Sequence, residues 1–161
     1  MQAHHPITQA RWIWPEAYLY LYNHFAQFRR DLRLRSVGEK ALLHITADKS
    51  YKLFVNGQYV CRGPARGYQA HWPFDSVDLR PYLRRGHNWI SVEAYNPGIS
   101  TFQYLHRTRA GLLAAVEGQQ LESAWTKSQW QYRRSPAHAT DTARLSVQLD
   151  FQEHAELAKD A

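Results

Sequence analysis

Between residues 66 and 72 the chain reads RGYQAHW, which places Arg66, Tyr68, His71 and Trp72 on one short stretch. Aromatic faces stack on the apolar face of a pyranose ring. Guanidinium and imidazole groups donate to its hydroxyls, so this mixture suits a carbohydrate site. A second stretch, YNPGISTFQY at 95–104, adds Asn96 and Gln103 as polar groups with reach, although its Asn-Pro-Gly is first of all a turn. Trp72 followed by Pro73 and Phe74 also suits a plug at the end of a fold, and that reading ranks ahead of binding because Trp is usually highly buried.

Other chemistries find less support. Glycoside hydrolysis needs two carboxyl groups facing each other across a cleft. The acids Asp48, Asp75, Asp78, Glu93, Glu117 and Asp141 mostly fall at strand ends or turns, where Asp ordinarily bonds to backbone. Nine histidines invite a metal, but neither His-x-x-x-His nor His-Glu-x-x-His spacing occurs. GPARG at 63–67 has a trace of a phosphate loop without its Lys-Ser/Thr ending, and no Gly-x-Ser-x-Gly elbow is present. No cofactor motif is found.

The elements that must carry the 66–72 stretch are strands. Six Trp and ten Tyr among 161 residues favour β structure. One cysteine, Cys61, excludes an internal disulfide or a Cys-x-x-Cys site. A chain of this length fits one core. Strand signals recur at 27–35, 40–47, 51–55, 58–62, 88–95, 111–117, 129–132 and 143–152, separated by Gly38, Asn56-Gly57, Arg85-Gly86 and Glu117-Gly118. Asn56-Gly57 predicts a type I′ hairpin. In 143–152, Leu145, Val147, Leu149 and Phe151 alternate with polar residues, which predicts a strand with one buried face. The expected core comprises Phe28, Leu32, Leu34, Leu43, Ile45, Leu53, Val55, Ile90, Val92, Leu113, Leu145, Val147 and Leu149. Residues 65–88 form a long crossover, with a short helical turn at 79–83 capped by Asp78. These features predict an all-β, two-layer antiparallel sandwich of jelly-roll type.

The formal net charge of +6 raises nucleic acid as a partner. The basic residues are scattered. Arg29, Arg30, Arg33 and Arg35 interleave with Phe28, Leu32 and Leu34 as on the wet face of a strand, and no recognition motif accompanies them, so no nucleic-acid partner is expected. No segment has the apolar length of a membrane span, no signal-peptide pattern opens the chain, and its compartment stays open.

In this order and spacing, WIW at 12–14, FRRDLRL at 28–34, ADKSYKLFVNG at 47–57, RGP at 62–64, FDSVDLRPYLRRGHNWISV at 74–92, RAGLL at 109–113 and DFQEH at 150–154 resemble a known family. It is the N-terminal β-sandwich, of galactose-binding-like jelly-roll type, of bacterial α-L-rhamnosidases and related glycoside hydrolases. The resemblance covers most of the chain. It implies that hydrolysis is carried by carboxylates of a helical barrel downstream, which nothing in this chain matches, and that FQEH leads into the next domain. The chain then divides into a flexible end at 1–10, a sandwich at 11–152 and the start of a linker at 153–161. A structural calcium near a turn such as Asp48 fits the fold by resemblance, but the dense Asp/Asn spacing of a calcium loop is missing. Cys61 and GYQAHWPF depart from the family pattern, beside any ligand-facing loop.

The leading expectation is therefore a non-catalytic accessory domain of an α-L-rhamnosidase-like glycoside hydrolase. Its partners would be the catalytic domain of the same polypeptide and a rhamnose-containing glycan. Arg66, Tyr68, His71, Trp72 and Asn96 form the candidate sugar site. An independent carbohydrate-binding module is the first alternative, and a basic nucleic-acid-binding β domain the second.

Overall fold

A computed structural model describes residues 5–67, 71–102, 104–106, 109–121, 124–126 and 129–160. The strands are β1 His24–Leu34, β2 Leu42–Ala47, β3 Ser50–Val55, β4 Gln58–Gly63, β5 Asp75–Asp78, β6 Gly86–Asn96, β7 Leu112–Glu117 and β8 Gln131–Arg134. They form a five-stranded sheet, β4-β3-β6-β1-β8, and a three-stranded sheet, β5-β2-β7, with every pairing antiparallel. The sandwich expected from the alternation is present. Asn56 and Gly57 take φ of 52° and 81°, the left-handed pair that a two-residue hairpin turn requires.

Between the sheets lie Phe28, Leu32, Leu34, Leu53, Val55, Ile90 and Val92 from one side and Leu43, Ile45, Leu112, Ala114 and Val116 from the other. Register decides membership. Ile45 pairs with Ala114 and Ala47 with Leu112, so Leu112 faces inward at 0% exposure and Leu113, the residue expected in the core, is only half-buried. Arg30 is a second correction. It occupies an inward position of β1 between Phe28 and Leu32, and its guanidinium reaches the carbonyl and side-chain oxygens of Gln129 at 3.1 and 2.5 Å. Burial holds that guanidinium below its ordinary pKa.

The largest correction concerns 143–152. This segment is no sheet strand but a small irregular hairpin held by the Arg144–Phe151 bridge and by bonds from the Leu145 and Gln152 N–H groups to the Asp150 and Ala143 carbonyls. The Arg144 side chain donates to the carbonyls of Val147 and Leu149. Its backbone groups are thus satisfied locally, and Leu145, Val147 and Leu149 stand exposed. The crossover, in turn, contains a strand that alternation missed: β5 pairs with β2 along Leu42 to Ile45. After it, the Arg80 N–H bonds to Asp78 Oδ1 at 3.0 Å and opens the turn Arg80–Tyr82.

Part of the end expected to be flexible is also used. Pro6–Gln9 is a 3-10 turn with Ile7 buried, and the His5 ring meets the His44 ring edge-on at 4.4 Å. At the other end, Leu157–Asp160 folds back on the five-stranded sheet, where the Asp160 carboxylate accepts from Gln27 at 2.7 Å and from Arg133 at 3.3 Å.

His44 gives a pH prediction. It is buried on β2 with Nδ1 2.8 Å from Ser76 Oγ, and burial first, then the neighbouring His5, lower its pKa below the ordinary imidazole value. The folded state therefore binds fewer protons than the unfolded chain, so stability is full above about pH 6.5 and falls as pH drops below it. His24, lowered chiefly by burial, adds to the same slope. Urea midpoints measured between about pH 7.5 and 5.5 are expected to fall with acidification, and less so in His44→Gln.

Candidate functional site

The register collects most long connections at one end of the sandwich. His24 lies opposite Asn96, Ser50 opposite Tyr95, Tyr51 opposite Gly63, and Ala47 opposite Leu112. The segments preceding β1, joining β2 to β3, leaving β4, joining β6 to β7 and following β8 therefore converge there. This is the end that carries the residues singled out from the sequence.

Their placements differ. Arg66 and His71 are exposed on the crossover. Trp72 is half-buried. Its Nε1 donates to the Ala47 carbonyl at 3.2 Å and its ring meets Trp12 edge-on at 6.4 Å, so the indole partly plugs the end while keeping a surface. Thr46 Oγ1 anchors the following residue through the Pro73 carbonyl at 2.7 Å. Tyr68 and Gln103 lie outside the described residues. Asn96 is a correction: it is 0% exposed, its Nδ2 donates to the Leu21 carbonyl at 3.3 Å and its Oδ1 accepts from the Gly98 N–H at 3.1 Å. The residue pins two loops together and has no face to offer a ligand.

Beside the crossover opens a cleft of about 690 Å³. Tyr51, Arg62, Pro64, Asp75, Tyr95 and Asp150 are among the residues that line it. Tyr51 Oη donates to Asp75 Oδ2 at 2.5 Å, and Tyr95 Oη donates to Asn23 Oδ1 at 3.2 Å. Burial, reinforced by Asp75 at Tyr51 and by Asp150 at Tyr95, pushes both phenols above their ordinary pKa, so both stay protonated donors. Another groove, of about 750 Å³, crosses the outer face of the five-stranded sheet between Arg29, Lys52 and Asp160, away from the converging loops.

The carboxylates around the cleft are engaged. Asp75 receives Tyr51, Asp150 lies 3.2 Å from Lys49, and Glu153 lies 3.3 Å from His138 and 3.8 Å from Lys52. Elsewhere Asp78 pairs with Arg80, Glu93 with Lys52, and Glu117 with Lys40. At the same end, Asp48 is buried and accepts a short hydrogen bond from Tyr104 Oη, and Lys49 sits 4.6 Å above the Tyr104 ring. Among the described residues no group of three or more His, Cys, Asp and Glu is arranged to hold a metal ion.

Sequence reading missed Tyr51, Tyr95, Asp75 and Asp150 as cleft residues. Tyr51 and Asp75 were visible as a strand residue and a turn acid, but pairing of β3 with β4 and of β2 with β5 is what brings them together. Tyr51→Phe removes that buried hydrogen bond and leaves Asp75 without its donor. The expected loss is about 1–3 kcal/mol of unfolding free energy, read from denaturant midpoints at constant slope.

No protein-family model and no curated protein matches the chain. Among solved structures, a GH78 family rhamnosidase of Bacillus sp. GL1 matches over 95% of this chain with 36% identity and a TM-score of 0.86. This chain belongs with the β-sandwich domains of GH78 rhamnosidases. The match spans 16% of that protein, so the rhamnosidase-type sandwich corresponds to a small part of its relative. An α-L-rhamnosidase of Streptomyces avermitilis, solved with L-rhamnose, aligns over 91% of the sandwich and 14% of its own length at 22% identity and a TM-score of 0.53. A lectin from Pleurotus ostreatus in complex with GalNAc aligns over 94% of the sandwich and 42% of its own length at 19% identity and a TM-score of 0.51. These two likenesses show the fold that the rhamnosidase-type sandwich shares with them.

Proposed function

We propose that the chain is a non-catalytic accessory domain of a larger, rhamnosidase-type glycoside hydrolase. It holds the catalytic part of the same polypeptide in place and contacts carbohydrate at its loop end. The observation that carries this reading is the 36% identity over 95% of the chain to a stretch making up 16% of a GH78 rhamnosidase. The engagement of the cleft carboxylates with Tyr51, Lys49, His138 and Lys52 supports a binding role, because a glycosidase needs a facing acid pair free to exchange protons. Arg66, His71 and Trp72, with Tyr68 between them, form the crossover contact, and Asn96 leaves that set because it is enclosed.

The isolated chain, incubated with an aryl α-L-rhamnoside, is expected to release no product. Sustained protein-dependent hydrolysis would overturn the non-catalytic reading. Titration with L-rhamnose and with galactose, followed by tryptophan fluorescence and amide shifts, is expected to show weak saturable binding with a dissociation constant on the order of a millimolar. Fluorescence change lost in Trp72→Ala with the fold intact would assign the stacking ring to Trp72. A change retained in that variant would leave Trp72 as an end plug.

A further inference from the structure

We propose that residues 153–160 are a locked strap, in which buried His138 latches Glu153 and a cross-strand row of the five-stranded sheet anchors Asp160, so that polypeptide following the strap leaves the sandwich in a fixed direction. For a catalytic part of the same polypeptide, that consequence rests on the accessory-domain reading above. The resemblance in sequence predicts the start of a linker over this segment. Its backbone is nevertheless paired. Ala155 bridges His138 in antiparallel sense, the Ala139 N–H donates to the His154 carbonyl and the Glu156 N–H to the Ala137 carbonyl, both at 2.9 Å. In a flexible linker such groups meet water instead.

Side chains fix both ends of the strap. Lys52, Glu93, Gln27 and Arg133 stand opposite one another on β3, β6, β1 and β8, one polar row across the face of the sheet that looks away from the core. At one end, Glu153 lies 3.3 Å from His138 Nε2 and 3.8 Å from Lys52, which is itself 3.1 Å from Glu93. At the other, Asp160 accepts from Gln27 at 2.7 Å and from Arg133 at 3.3 Å, while Arg133 Nε donates to Gln27 Oε1 at 2.9 Å. His138 is the fixed point. It is 5% exposed, its ring stacks on Phe25 at 3.8 Å, and its Nδ1 lies 2.9 Å from Ser135 Oγ and 3.9 Å from Glu93, which leaves Nε2 to face Glu153. Apolar burial contributes little, because residues 153–159 are exposed. A segment held by a few polar contacts opens at a lower free energy than the sheets and depends on each of those contacts.

The test measures ¹⁵N relaxation and amide exchange on the whole chain. Order parameters over 154–160 are expected at about 0.85, the value of rigid backbone, with slowed exchange at the Ala139 and Glu156 amides. Glu153→Ala should speed exchange at those two amides at least about tenfold while β1 and β6 keep theirs. Glu153→Gln, whose amide oxygen still accepts from His138, should restore most of the protection. Asp160→Ala should lower the order parameters of 157–160 alone. Order parameters below about 0.6 over 154–160 in the unaltered chain would overturn the strap. So would unchanged exchange in Glu153→Ala, equal acceleration throughout β1 and β6, or an Asp160→Ala chain as rigid at 157–160 as the native one. The accessory-domain reading would survive each of those results, since hydrolysis by the isolated chain is what overturns it.

Discussion

Ile45→Ala is expected to lower the unfolding free energy by about 2–5 kcal/mol, while Val147→Ala changes it by less than about 0.5 kcal/mol. Both residues carry the same signature in sequence, a β-branched apolar side chain flanked by alternating polar neighbours. Their surroundings differ completely. Ile45 lies on the central strand of the three-stranded sheet, is 0% exposed, and faces the sandwich interior among residues of both sheets. Truncation there removes the transfer free energy of three carbons and leaves a void that two hydrogen-bonded sheets cannot collapse around. Val147 stands 83% exposed at the tip of the 143–152 hairpin, so its methyl groups meet water before and after unfolding. Paired denaturant titrations read the difference directly. Equal losses in the two variants would mean that 143–152 is packed as a sheet strand after all.

Gly63→Ala is expected to cost about 2–4 kcal/mol, although no positive φ is involved. A Cβ at this position would lie 2.0 Å from Asp75 Oδ2 and 2.9 Å from Tyr51 Oη. The last residue of β4 therefore has to be glycine because the hydrogen bond between β3 and β5 passes directly over it. Relief requires Asp75 to swing away, which breaks a buried charge-assisted bond and strands the phenol of Tyr51, enclosed at 1% exposure. Two variants then share one interaction. In a Tyr51→Phe background Asp75 has nothing to lose by moving, so Gly63→Ala should cost less there than in the native chain, a coupling of about 1 kcal/mol or more in a double-mutant cycle. Strict additivity would show that the glycine serves something other than this bond. Because Tyr51 and Asp75 also line the cleft, the same variants should weaken any ligand bound in it.

What the amino-acid sequence determined by itself is what depends on near neighbours. Asn56-Gly57 forced a tight turn because only residues tolerant of positive φ fit there, and the strands on either side followed from it. Phe28, Leu32, Leu34, Leu53, Val55, Ile90 and Val92 alternate along β1, β3 and β6, and each reached the interior because period two gives one strand face one environment. Arg66, His71 and Trp72 lie at the loop end, on the connection that leaves β4. Alternation, however, says that two faces differ and is silent on what covers them. Arg30 alternates with the core and points inward because the backbone and side chain of Gln129, 99 residues away, accept its guanidinium. Leu145, Val147 and Leu149 alternate just as cleanly and face water because their segment satisfies its own backbone in a local hairpin, which leaves no sheet to bury them. Leu112 displaced Leu113 by a one-residue choice of register, set by pairing with β2. The cleft belongs wholly to this second kind of information. Its two tyrosines, its three carboxylates and Arg62 come from β3, β4, β5, β6 and the 143–153 segment, and only the packing of those elements brings them to the lining of one cleft.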